Sequence, residues 1–340
     1  MARVVVITGA SSGIGRCTAL LFARRGWRVG LIARGAAGLA SATQEIVDAG
    51  STACWAAADV ADPAALEAAA GLLQRELGAP DVWVNCAGNG VYGPFTCVPE
   101  PEFRRVTEVT YLGTVNGTRT ALRGMRARGT GTVVNVCSAI AFHGMPLLSS
   151  YSGAKHAVRG FTEAVRADLQ HDGSAVRVCL VYPPAANTPF FSHAASHMKL
   201  PPRPMKPVYQ PEVVAAGVWH AALSGQPEVS IGGVTVLFAF AARWTPGLLA
   251  RAIVFQGDAV QMTSHPDAAR LRNPTLFQPN ARTAAAHGPF GHEARHISTQ
   301  LWATRLWTAL RRQAARWRPT PPAATPGPAP AGSAPQGGGP

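Results

Sequence analysis

Within its first fifteen residues the chain passes from a β-branched apolar run, Arg3–Thr8, through the turn Thr8-Gly9-Ala10-Ser11-Ser12-Gly13-Ile14-Gly15 into a helical stretch. This order, T-G-x-x-x-G-x-G between a strand and a helix, admits few folds. Glycines there let the backbone approach a pyrophosphate closely, and the helix behind offers free N–H groups and the positive end of its dipole. The same alternation continues to about residue 232. Candidate strands are Arg3–Thr8, Arg28–Ala33, Thr52–Ala57, Val82–Asn85, Thr132–Cys137, Val176–Tyr182 and Glu228–Ile231, separated by helical patterns. The expectation is an α/β fold of Rossmann type: a doubly wound, seven-stranded parallel sheet with helices on both faces.

The chain divides into one large domain over 1–255, an extension over 256–318 and a Pro/Ala/Gly tail over 319–340 that is expected to be disordered. The apolar run starts so early that no signal peptide is expected, which points to the cytoplasm. The uncharged segment from Val229 to Ala242 is shorter than the roughly 20 residues a bilayer span requires and reads as a last core strand followed by a helix. Between Pro183 and Pro211 the chain is rich in proline and too long for a simple connection, so a lid or binding loop is expected.

A net charge of +13 raises the question of nucleic acid, yet 28 of the 31 basic residues are arginine, and residues 282–318 alone hold seven Arg against one Glu. The basicity belongs to the tail more than to the body, and no nucleic-acid partner is expected. Cys17, Cys54, Cys86, Cys97, Cys137 and Cys179 lack ligand-like pairing and read as buried thiols in a reducing compartment. His143, His193 and His197 have no carboxylate or cysteine at metal spacing, so no metal is expected.

The second strand ends Ala33-Arg34, with a cation where an acidic residue would hold a ribose 2′-hydroxyl, so a 2′-phosphate is favoured and NADP(H) is the expected cofactor. Asp59-Val60 ends the third strand, placed to bond an adenine amino group, and Asn85-Cys86-Ala87-Gly88 ends the fourth, lining the adenosine side through its backbone. Ser138 ends the fifth. Thirteen residues on, Tyr151-Ser-Gly-Ala-Lys155 sets a phenol and an ammonium one helical turn apart on one face. With this few tyrosines and lysines, chance gives such a pair only about 0.04 times. The pair suits proton transfer at a carbinol oxygen. Bringing a tyrosine near neutrality takes about 4 kcal/mol, which an ammonium about 4–5 Å away supplies at an effective dielectric of ~20. Ser138 would anchor the substrate oxygen and Tyr151 would act as general acid in reduction.

Taken together, Thr8–Gly15, Asp59, Asn85–Gly88, Ser138 and Tyr151-x-x-x-Lys155 resemble the single-domain branch of the short-chain dehydrogenase/reductases over about residues 1–235. The resemblance implies an NADP(H)-dependent oxidoreductase, commonly a homo-oligomer, with Gly9, Ser11, Ser12, Gly13, Ile14, Gly15, Ala87, Gly88, Tyr151, Lys155, Pro183 and Thr188 around the cofactor. The family's Pro-Gly after the sixth strand is here Pro183-Pro184. A working asparagine of the family is replaced by Thr110, in Thr110-Tyr-Leu-Gly113. That asparagine helps hold a water that relays protons from the lysine. Thr110 keeps a hydroxyl and a carbonyl for that task, so slower proton exchange is expected. The alternative is a cofactor-binding regulator or sensor with weakened turnover. Around the cleft, Val91, Tyr92, Phe95, Phe142, Met145, Leu147, Leu148, Phe190 and Phe191 suit an apolar ketone, aldehyde or alcohol. In a helix over about 297–318, Trp302, Leu306, Leu310 and Trp317 gather opposite Arg305, Arg312 and Arg316. Such a helix binds the inner membrane surface or packs on its own domain or a second copy.

Overall fold

The computed structural model describes residues 2–264, 272–280 and 284–316. Each candidate run forms a strand: β1 (Val4–Thr8), β2 (Arg28–Ala33), β3 (Ala53–Ala57), β4 (Val82–Asn85), β6 (Thr132–Val136), β7 (Arg177–Tyr182) and β10 (Glu228–Ser230), with β5 (Val91–Tyr92), β8 (Ala195–Ser196) and β9 (Val208–Tyr209) outside the main sheet. The seven pair in the order β10-β7-β6-β4-β1-β2-β3, all parallel. Strand order reverses between β1 and β4, and in such sheets ligands bind beyond the carboxyl ends of the strands at that point.

Both sheet faces are covered, as parallel sheets require. On one lie α1 (Gly13–Arg24), α2 (Ala36–Asp48) and α8 (Pro211–Ser224), meeting the strands through Phe22, Leu39, Ile46 and Val218. On the other lie α3 (Pro63–Leu77), α5 (Gly113–Arg128) and α6 (Ser149–His171), with Leu66, Leu73, Met125 and Leu169 inward. α3 starts where the Asp62 carboxylate accepts hydrogen bonds from the Ala64 and Ala65 N–H groups, with Pro63 in its first turn. Between α4 (Glu100–Thr107) and α5 the backbone widens into a π-helical turn, Glu108–Leu112, which contains Thr110. Such turns recur at functional sites.

After β10, two apolar helices follow, α9 (Gly233–Trp244) and α10 (Pro246–Gln256), and no helix among the described residues is long and apolar enough to cross a membrane. A short α7 (Phe190–His193) sits within the long loop after β7. Thr275, Pro279, Asn280 and Ala284 lie along the cleft, β11 (Ala294–Arg295) pairs with β9, and the described residues close with α11 (Thr299–Arg316). α11 is fastened to its own domain by buried Leu301 beside Gly217 of α8, while Trp302, Leu306 and Leu310 are exposed. Trp317, the side chains of Arg312 and Arg316, and the tail over 319–340 lie outside the described residues. The thiols are more varied than expected: Cys17, Cys137 and Cys179 are buried, Cys54 and Cys86 half-buried, and Cys97 is exposed.

Candidate active site

A cavity of about 540 Å³ opens at the carboxyl ends of β1, β2, β3, β4 and β6. Its wall includes Gly9, Ser11, Ser12, Gly13, Ile14 and Gly15 at one end and Ser138, Tyr151 and Lys155 at the other, with Arg34, Asp59, Val60, Ala87, Gly88, Pro183 and Thr188 between. The volume lies in the range of small-molecule and cofactor sites.

The glycine turn is as tight as its pattern implies. Gly9 has φ +68°, and a Cβ there would stand 2.8 Å from the Ala87 backbone. One on Gly15 would stand 2.3 Å from the Gly9 carbonyl oxygen. Gly15→Ala is therefore expected to destabilise the chain by about 1–3 kcal/mol, measured as a lowered Tm together with weakened cofactor binding. An unchanged Tm would show that the turn has room to give.

Some expected residues stand elsewhere. Asn85 lies behind the wall, its amide tied to Asn135 Oδ1 (2.8 Å) and Thr118 Oγ1 (3.1 Å) while it accepts the Trp83 indole N–H. The wall at that strand end begins with Cys86. Asp59 accepts the Ala61 N–H and is closely paired with Arg105, so its carboxylate is not free for an adenine amino group alone. Arg34 does reach the cavity, but its guanidinium donates to the carbonyls of Leu276 and Phe277 at 3.0 Å each and closely to that of Thr275. Of the expected apolar lining, Tyr92, Met145, Leu148, Phe190 and Phe191 face the cavity. Val91 is core, Phe142 packs on Tyr182, Leu147 packs beside the cavity cluster and Phe95 is exposed. His197 pairs with Glu102 at 2.8 Å instead of standing solvated.

Nothing in the sequence reading anticipated the segment that holds Arg34. The Asn273 and Thr275 N–H groups bond the Ser192 and His193 carbonyls, tying this strap to the loop after β7. The Ala285 carbonyl accepts the Gly13 N–H at 2.9 Å, and the Ala284 carbonyl accepts from Arg16. His287 Nε2 lies 2.6 Å from Glu212 Oε1, whose partner on the far side is the Cys17 thiol. These residues border the cavity beside the loop after β7 and at the head of α1.

At the chemical end, Lys155 is buried and its ammonium donates to the Val136 carbonyl at 2.8 Å, lying 5.6 Å from the centre of the Tyr151 ring. Ser138 Oγ accepts the Ile140 N–H at 3.3 Å and acts on the Tyr151 phenol beside it, drawing its pKa down. The expected fall of the tyrosine toward neutrality is not what this arrangement produces. Burial pushes the phenol well above its ordinary value, Cys137 adds to the rise, and the Ser138 hydrogen bond only opposes it. Burial likewise pushes the Lys155 ammonium down. Desolvation is the largest cause for both groups.

Thr110 lies behind the wall, fully buried, with its hydroxyl donating toward the Asn89 carbonyl (3.2 Å) and accepting the Asn89 N–H (3.2 Å). Its carbonyl accepts the Thr114 hydroxyl at 3.0 Å. A Cβ on Gly88 would fall 3.7 Å from Thr110 Oγ1 and 3.9 Å from Lys155 Nζ, so the two groups flank one small space. Asn89, which also lines the cavity, has a buried side-chain nitrogen without a protein partner. An amide one residue past the Asn85–Gly88 segment carries no signal in sequence, which is why it was missed.

A family model described as short chain dehydrogenase matches residues 3–199. An uncharacterized oxidoreductase of Bacillus subtilis (strain 168), YxnA, is 33% identical over 270 residues, covering 78% of this chain and 76% of that protein. The 3-dehydrosphinganine reductase of Danio rerio is 33% identical over 236 residues, 67% of this chain and 70% of its own. Among solved structures, levodione reductase superposes with a TM-score of 0.60 at 25% identity, covering 69% of this chain and 98% of that one. An alcohol dehydrogenase from the archaeon Thermococcus sibiricus, complexed with 5-hydroxy-NADP, gives 0.59 at 25% identity over 68% and 96%.

Proposed function

The chain belongs to the short-chain dehydrogenase family of oxidoreductases, and from that premise we propose that it reduces an apolar ketone or aldehyde, or oxidises the matching alcohol, with NADP(H). The observation that carries this reading is the convergence of Ser138, Tyr151 and Lys155 on one wall of the cavity whose opposite end is the glycine turn. The cradle suits a dinucleotide: Gly9, Gly13 and Gly15 would let the turn's backbone come close to a pyrophosphate, and Arg34 on the same wall offers a cation to a 2′-phosphate. When bound, NADP(H) supplies or takes up the hydride.

In reduction, Ser138 holds the carbonyl oxygen and Tyr151 donates its proton to it. The raised phenol suits this direction, since it keeps the proton in place until the oxygen gains charge. Lys155, anchored on the Val136 carbonyl, stabilises the phenolate as it forms. Thr110 and Asn89, beside Gly88, would hold a water through which solvent returns the proton to Tyr151 by way of Lys155. The apolar half of the cavity, with Tyr92, Met145, Phe190 and Phe238, favours a lipophilic substrate. The names of two similar proteins, each a reductase, agree with carbonyl reduction. The partners in this reading are a small molecule and further copies of the chain, with no nucleic acid.

The test is NADPH oxidation by the pure protein against apolar ketones and aldehydes, with Thr110→Asn beside it. We expect turnover in both and a change of no more than about tenfold in the variant, below the roughly 10²- to 10⁴-fold that a positioned proton-transfer group contributes directly. Turnover that appears only in Thr110→Asn would instead support a regulator whose relay has been lost.

A further inference from the structure

We propose that the hairpin of α9 and α10 seats the protein on an anionic lipid surface. Its inner side carries Phe238, Leu249 and Ile253 into the apolar cluster with Tyr92, Met145 and Phe190. Its outer side is equally apolar but uncovered: Leu237, Phe240, Trp244, Leu248, Val254 and Phe255 are exposed, Phe255 to 92%. A helix that is apolar all round belongs in a buried setting, and here only one side has one.

The charges select the occupant. From 229 to 257 the chain has no Asp or Glu, and its only charged residues are Arg243 and Arg251, both exposed. The stretch offers a second copy no carboxylate of its own to pair with these arginines across a two-fold axis. Anionic headgroups pair with both arginines while the acyl region takes the apolar side chains, and Trp244 at the bend between the helices suits the interface. At 12 and 11 residues the helices are too short to cross a bilayer, so the hairpin lies in its surface. Seating does not depend on the oxidoreductase reading. If that reading holds, it has a consequence: Val234, Thr235 and Phe238 of α9 line the cavity, so a lipophilic substrate passes from membrane to cleft beside the same helix.

The experiment is co-sedimentation of the full chain, without cofactor or substrate, with vesicles of phosphatidylcholine alone or mixed with phosphatidylglycerol. Pelleting with the mixed vesicles is expected, weakened by high salt. A Leu237→Ser, Phe240→Ser, Phe255→Ser variant is expected to lower the partition about tenfold or more, with its fold checked by a circular dichroism melt. Arg243→Ala and Arg251→Ala should each lower it roughly fivefold. Trp302→Ser with Leu306→Ser on α11 should leave it unchanged. The proposal is overturned if the wild type stays in solution, if the triple variant pellets like the wild type, or if only the α11 variant loses binding. It is also overturned if the triple variant alters the molecular mass by light scattering and leaves vesicle binding intact, which would assign the face to a second copy.

Discussion

Tyr151→Phe is expected to lower turnover about 10²- to 10⁴-fold, the range for removing a positioned proton donor, while NADPH binding stays near the wild-type value. The phenol hydroxyl meets Ser138, and its ring packs on Phe190 at 5.3 Å between centroids. Phenylalanine keeps the ring contact and loses only the proton. The pH profile carries a second signature. Burial raises the phenol, so the protonated form that reduction needs is full below the folded value and is lost only as pH rises through it. Reduction should therefore hold level through neutral pH, and alcohol oxidation, which needs the phenolate, should climb toward alkaline pH. Stopped-flow absorbance of NADPH in both directions checks this. A Tyr151→Phe variant with wild-type turnover would remove Tyr151 from the chemistry.

Arg34→Ala is expected to weaken NADPH about 10- to 100-fold, as for loss of hydrogen bonds to a charged group, with NADH changed far less. Arg34 also fastens the strap, through the carbonyls of Thr275, Leu276 and Phe277. The two duties separate cleanly in measurement. A guanidinium that recognises a 2′-phosphate makes the loss selective for NADPH, whereas one that only ties the strap lowers Tm and affects both cofactors alike. Fluorescence titration of the two cofactors, alongside a thermal melt, reads both.

Much of the fold was legible because most strands of the main sheet are short apolar runs with β-branched residues, and observed strand ends depart from the expected ones by about a residue. The candidate site was legible where spacing alone fixes geometry, as with Tyr151 and Lys155 on one helix face. It was not legible where the contact is made by atoms every residue carries. Arg34 and Gly13 are held by the backbone carbonyls of Thr275, Leu276, Phe277 and Ala285, so the side chains of those residues carry no mark of it. The Asp59–Arg105 pair joins residues 46 apart in the chain, with no local pattern. The direction of the Tyr151 shift was missed because a Coulomb argument from spacing omits desolvation, which depends on how deep the cavity wall lies. The uncharged run from Val229 to Ala242 was visible as a strand and a helix, but which side of that helix stays uncovered is a property of packing.

The most direct test of the central claim follows a label. The protein is given NADPH deuterated at the nicotinamide C4 position, each face in turn, with a panel of apolar ketones, and the products are examined by mass spectrometry. The account predicts deuterium on the carbinol carbon from one face, accumulating about 10²- to 10⁴-fold more slowly when Tyr151→Phe replaces the wild type. Label that stays on the nicotinamide from both faces, in protein shown by fluorescence to be loaded with NADPH, would contradict it and leave a protein that binds the cofactor without reducing these carbonyls.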